Sequence, residues 1–239
     1  DTPYRVENLG AVAVNARQQL ERLKTLDLRP GDAVIFYDGV NEIYQALYHH
    51  HPRGWTADDL EGPPASLPLH RRVVITVYNR LYHRSRFVTY FLDPYDTETV
   101  PVHLREPETR RRLVTELAKA YEATLLEAHR FSADRGAEFH HFLQPNLFTV
   151  DSRSAYEERL LASHHFTPNG LDVGFTFGYP ELQAVVRRLA ARGVSSHDLT
   201  SLLNERTNGE EFFLDFCHVN HEANRRIAES IAAHAFPTG

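Results

Sequence analysis

The apolar run Ala33-Val34-Ile35-Phe36-Tyr37 breaks off abruptly at Asp38-Gly39-Val40-Asn41-Glu42. An unbroken apolar run of this length suits a strand covered on both faces, as in a parallel sheet flanked by helices. A second such strand is expected over Glu138 to Leu143, stopped by Gln144-Pro145. Between them, Pro107 to Arg135 carries Leu113, Leu117, Ala120, Leu125 and Ala128 at helical spacing, and Gly136 closes the helix. Strand, crossover helix and strand predict an α/β fold with a mostly parallel sheet.

The remaining elements fit the same plan. Tyr4 to Gly10 alternates and stops at glycine, which predicts a short strand. Asn15 to Leu26 places Leu20, Leu23 and Leu26 at helical spacing. Residues 49–68 are rich in His, Pro and Gly and read as a loop. Val73 to Leu92 reads as an aromatic helix, and 93–106 as irregular, so 49–106 reads as an insertion or lid. A helix is expected over 151–163, and a Gly- and aromatic-bearing loop over 164–178. Pro180 to Arg192 reads as a helix with Pro in its first turn and Gly193 past its end. Leu199 to Leu203 is a candidate strand, and Val219 to Ala235 a closing helix. All of it suits one domain over 1–239.

Composition removes several function classes. A net charge of −6 leaves no basic footprint for a nucleic-acid backbone. No run of 18 or more uncharged apolar residues exists, so no transmembrane segment is expected. A single cysteine, Cys217, rules out an internal disulfide. There is no Met, and the chain opens at Asp1 inside what reads as folded sequence, so the domain is expected to be incomplete at its N-terminus.

Strand ends are where chemistry gathers in such folds, and three segments stand out there. Asp215-Phe216-Cys217-His218 sets a carboxylate three residues before an imidazole. The carboxylate can fix the ring tautomer and stabilise the imidazolium during proton transfer. The same spacing also suits Asp215 as the N-cap of the last helix with His218 on its first turn. Asn41, next to Gly39, can aim its amide at a developing oxyanion, or can simply belong to a tight turn. Gly10 to Ala13 can present backbone N–H groups to an anion, or can be an ordinary connection.

Taken together, these segments resemble the later three sequence blocks of the SGNH (GDSL-type) hydrolase family. The matching pieces are Asn8 to Asn15, Asp38 to Glu42, and Asp215-x-x-His218-Val219-Asn220. Their order and spacing agree with the family, with 28 residues from Ala13 to Asn41. The resemblance implies a flavodoxin-like three-layer α/β/α sandwich. It makes His218 the general base, Asp215 its orienting carboxylate, and Asn41 and the backbone N–H of Ala13 the oxyanion donors. Gly10, Gly39 and Glu42 support them. Ala13 stands where the family usually has Gly, and Glu42 where Asp is commoner.

The family's first block, a Gly-Asp-Ser segment carrying the nucleophile, has no counterpart here and is expected before residue 1. Ser152 and Ser154 read as helix caps, and Ser195 and Ser196 as turn residues after Gly193, so none is assigned that role. The implied activity is a serine esterase acting on an ester, such as an acetyl ester of a glycan. Its relatives often act outside the cytoplasm. It needs no cofactor or metal. The alternatives are an O-acyltransferase to a sugar hydroxyl and a non-catalytic SGNH-like binding module. His49-His50-His51, His140-His141 and His164-His165 read as solvated or structural groups, Cys217 as a packed residue, and Tyr78 to Phe91 as a packing face.

Overall fold

The computed structural model describes residues 5–11, 14–48, 102–162, 171–207 and 209–236. Ala13, most of the 49–106 segment and the His49 and His164 clusters lie outside the described residues. Among the described residues the fold is mixed α/β around a three-stranded, all-parallel sheet in the order β1-β2-β3. β1 is Ala33–Asp38, β2 Glu138–Leu143 and β3 Ser195–Asp198. Register sets Ile35 beside His140, Asp38 beside Leu143, and His141 beside Ser196.

Five helices of seven or more residues surround the sheet in the described residues: α1 (Ala16–Leu23), α2 (Pro107–Ala133), α3 (Ala155–Leu161), α4 (Leu171–Ala191) and α5 (His221–Ala235). A short turn of helix, Val40–Ile43, follows β1 and runs into a π-helical segment, Tyr44–Tyr48. Phe36, Phe139 and Leu143 face a core shared with Leu20 of α1, Leu117 and Leu125 of α2, and Leu182 and Val185 of α4. On the opposite face, Phe142 and Tyr37 pack with Ile227 and Ile231 of α5. Alternate strand residues therefore serve two cores, which is what buries a parallel sheet.

Two helix starts follow directly from side-chain chemistry. Asn15 accepts from the Gln18 N–H at 2.9 Å, while Gln18 accepts from the Asn15 N–H at 3.0 Å, a reciprocal cap for α1. Ser154 and Glu157 cap α3 in the same way, at 3.1 and 2.9 Å.

Four expectations are corrected. Residues 5–10 form no strand: Val6 is 88% exposed, and no strand pairs with the segment among the described residues. Leu199 to Leu203 is a turn, and the strand lies instead on the polar run Ser195–Asp198. Hydroxyls that bond histidines of β2 make that polar strand tenable: the half-buried Ser195 Oγ lies 2.9 Å from His140 Nδ1, and the buried Ser196 Oγ 2.7 Å from His141 Nδ1. A helix, Val102–Arg105, occupies part of the segment read as irregular.

The fourth correction concerns α4, which begins at Leu171 and carries Pro180 in its interior. Pro180 and Thr176, whose carbonyl loses its helical partner, both lie on the exposed face, so water can replace the missing bond. Gly178 is retained for close approach: a Cβ there would stand 2.2 Å from Ile43 Cδ1, a fully buried atom group. Gly178→Ala is predicted to destabilise the fold by about 1–3 kcal/mol through overpacking, read as a lower urea midpoint at unchanged slope.

Candidate functional site

The turn after β1 is built around a buried carboxyl group. Gly39 has φ +126°, and a Cβ there would meet Leu143 Cδ1 at 2.5 Å and Tyr179 Oη at 3.0 Å, so only glycine fits. Glu42 is buried, and its Oε2 accepts the Gly39 N–H at 2.8 Å. Its Oε1 accepts the Ala16 N–H at the start of α1. Burial, then the neighbouring Asp38, push the Glu42 pKa up to about 8 against the pull of those backbone donors.

Asn41 completes this clamp. Its Nδ2 donates to the Val14 carbonyl at 2.9 Å, which orients the amide and leaves the second amide hydrogen for another acceptor. Asn15 Nδ2 also bonds Gln45 Oε1 across the same junction. The segment before α1 and the turn after β1 are thus joined by three bonds. Gly10 contributes differently from expectation, since its N–H is taken by Asn8 Oδ1 at 2.9 Å.

The loop 215–218 reaches the same rim. Leu147 N–H donates to the Phe216 carbonyl at 2.8 Å, and Gln144 Nε2 to the Cys217 carbonyl at 3.3 Å, tying the loop to the residues after β2. Cys217 is buried in the core that holds Val40, Leu143 and Tyr179. Phe213 and Val219 form an antiparallel bridge that closes the base of the loop.

Upstream, the buried Glu157 carboxylate accepts the Phe212 and Phe213 N–H groups at 2.8 and 3.1 Å and pairs with Arg206. Burial works to raise its pKa. The N–H groups of Ser154, Phe212 and Phe213, with Arg206, outweigh that and hold it below the usual carboxylate range.

Asp215 does not cap the last helix. Asn220 does, accepting from the Ala223 N–H at 2.9 Å. Asp215 instead spends Oδ1 on the N–H groups of Cys217 and His218, at 2.8 and 2.7 Å, and Oδ2 meets His218 Nδ1 at 2.6 Å. Partial burial opposes ionisation of Asp215. The two backbone donors and the His218 ring outweigh it and keep the carboxyl below its ordinary range. The His218 side chain is 76% exposed, so its other ring nitrogen faces accessible space. Among the described residues, no serine hydrogen-bonds His218.

Cys217 Sγ lies 3.7 Å from His218 Nδ1. Burial, followed by the charge of Asp215, pushes its thiol well up, which disfavours a nucleophilic thiolate. Asp215, Cys217 and His218 are also the set of side chains able to share a metal ion among the described residues, with ligand atoms within 4.8 Å of one another. The sequence reading expected no metal.

The structure contains a second polar chain that the sequence did not suggest. His141 Nδ1 bonds Ser196 Oγ at 2.7 Å, and His141 Nε2 lies 3.2 Å from Asp38 Oδ1 and 2.7 Å from Tyr121 Oη. Tyr121 donates to Asp38, and Gln19 Nε2 reaches Asp38 Oδ2 at 3.3 Å. Ser, His and Asp occur here in sequence, but Ser196, His141 and Asp38 are only 5%, 0% and 4% exposed, so no substrate reaches the hydroxyl. The ring is also reversed relative to a serine hydrolase, with Nδ1 on the serine and Nε2 on the carboxylate. The chain satisfies polar groups inside the sheet. The signal for it was the pairing of β2 histidines with β3 serines.

Comparison with protein-family models, with curated proteins and with solved structures finds no match to this chain. Among the described residues no helix is long and apolar enough to cross a membrane.

The Glu42 clamp carries a pH signature. A carboxyl whose folded pKa is raised from 4.5 to about 8 contributes stability that is complete below 4.5 and lost as pH rises through 8. Stability of the parent protein should therefore fall across that interval, and Glu42→Gln should remove that part of the slope. Chemical denaturation at a series of pH values measures both, and an unchanged slope in the variant would contradict the assignment.

Proposed function

We propose that this chain belongs to an SGNH-type serine esterase with a flavodoxin-like α/β/α sandwich. His218 is its general base and Asp215 the carboxylate that orients it. The observation that carries this reading is the 2.6 Å contact between Asp215 Oδ2 and His218 Nδ1, made by a carboxylate that backbone N–H groups already hold. Such a contact fixes the proton on Nδ1 and leaves Nε2 free to accept one.

In this reading a serine from sequence before residue 1 attacks the ester carbonyl while His218 takes its proton. Asn41 and the backbone N–H of Ala13 hold the oxyanion, and His218 then protonates the departing alkoxide. Water, activated by the same imidazole, releases the acyl group and restores the serine. The Val14 carbonyl supports the Asn41 role by orienting its amide. Support for an additional strand comes from β1, which pairs only with β2 among the described residues and leaves Ile35 39% exposed in mid-strand. A parallel strand on that edge would end beside Gly39. A small acyl group, such as acetyl on a glycan, is the substrate class proposed.

Fluorophosphonate labelling of the complete protein tests the reading. A serine adduct upstream of residue 1 is expected, and no adduct on any serine would favour a non-catalytic binding module instead. His218→Ala should abolish ester turnover, while Asn41→Ala should lower kcat by about 10²–10³, the cost of one oxyanion donor. Unchanged turnover in His218→Ala would remove the assigned base.

A further inference from the structure

We propose that Asp215, Cys217 and His218 form a site for a zinc-class divalent cation, and that its occupation silences His218 as a base. The three side chains offer one oxygen, one sulfur and one nitrogen, a donor set that zinc accepts. A four-coordinate ion bonded at about 2.3 Å to sulfur and 2.0–2.1 Å to nitrogen and oxygen holds its donors roughly 3.3–3.6 Å apart. Cys217 Sγ and His218 Nδ1, at 3.7 Å, already stand close to that spacing. Asp215 Oδ2 and His218 Nδ1, at 2.6 Å, must part by roughly 0.7 Å, which only breaks their hydrogen bond.

The scaffold suits that exchange. Asp215 Oδ1 stays fixed by the Cys217 and His218 N–H groups, so Oδ2 remains aimed at the site when the imidazole turns. The His218 ring is exposed and free to make that turn. Cys217 loses its thiol proton to solvent on ligation, and the dication offsets the two negative charges of Asp215 and the thiolate. Water fills the fourth position on the exposed side.

The functional consequence rests on the esterase reading. A neutral imidazole bound to metal through Nδ1 keeps its proton on Nε2, the nitrogen that would otherwise take the proton from serine. The metal also takes the carboxylate that stabilises the imidazolium. Bound cation and working base are therefore mutually exclusive states of one loop.

Cobalt(II), titrated into the protein, is the probe. Cys217 is the one cysteine of the chain, so a thiolate-to-cobalt charge-transfer band reports this site whatever the histidines bind. The band is expected to saturate at one equivalent and to be missing in Cys217→Ser with unchanged circular dichroism. Asp215→Asn and His218→Ala should each weaken binding by more than tenfold. No thiolate band in the parent protein overturns the site, as does a band of unaltered affinity in both of those variants. In the complete protein, zinc should inhibit ester turnover reversibly with a chelator. Cobalt binding with undiminished turnover overturns the block, whereas metal-free protein without turnover strikes at the esterase reading.

Discussion

The buried carboxyl of Glu42 is the contact on which the candidate site depends. It accepts one N–H from the end of β1 and another from the start of α1, and so ties those two backbone segments together. Asn41 is carried on the same turn, and its amide reaches the Val14 carbonyl beside that clamp. Glycine at position 39 is part of the same device, because Leu143 and Tyr179 leave no space for a side chain there. A fully buried carboxyl beside Asp38 is costly, and the two backbone donors offset part of that cost.

The second half of the site is held by a comparable economy of carboxylates. Glu157 fastens Phe212 and Phe213, and Asp215 then folds the next three residues around itself. Both groups use backbone N–H donors, which are fixed by the chain and need little further ordering. His218 is consequently oriented from beneath while its ring remains exposed. On the two proposals above, that exposure lets the loop serve as a base for a substrate or as a ligand for a cation.

What the sequence made legible follows from where apolar periodicity and capping chemistry are unambiguous. β1, β2 and α2 were readable from continuous or helical apolar patterns, and Gly136 marked the end of α2 as glycine at φ +71° should. β3 was hidden because its residues are polar, and pairing with the β2 histidine His141 accounts for the burial of Ser196. The reach of α4 was hidden for a different reason. The glycines of 164–178 read as a loop and Pro180 as the first turn of a helix, yet Gly178 packs closely on Ile43 and Pro180 is exposed, so both sit inside one helix. Asp215 had two readings of equal chemical sense, and Asn220 removes the capping one by taking the cap itself.

The dyad can be interrogated without any substrate. Nitrogen-15 and proton NMR of labelled histidine reads the tautomer of His218 directly. The geometry predicts a proton on Nδ1, shifted downfield by its contact with Asp215 Oδ2, and loss of that signature in Asp215→Asn. A His218 ring protonated on Nε2, with the same spectrum in Asp215→Asn, would contradict the assignment of Asp215 and His218 as an oriented acid–base pair.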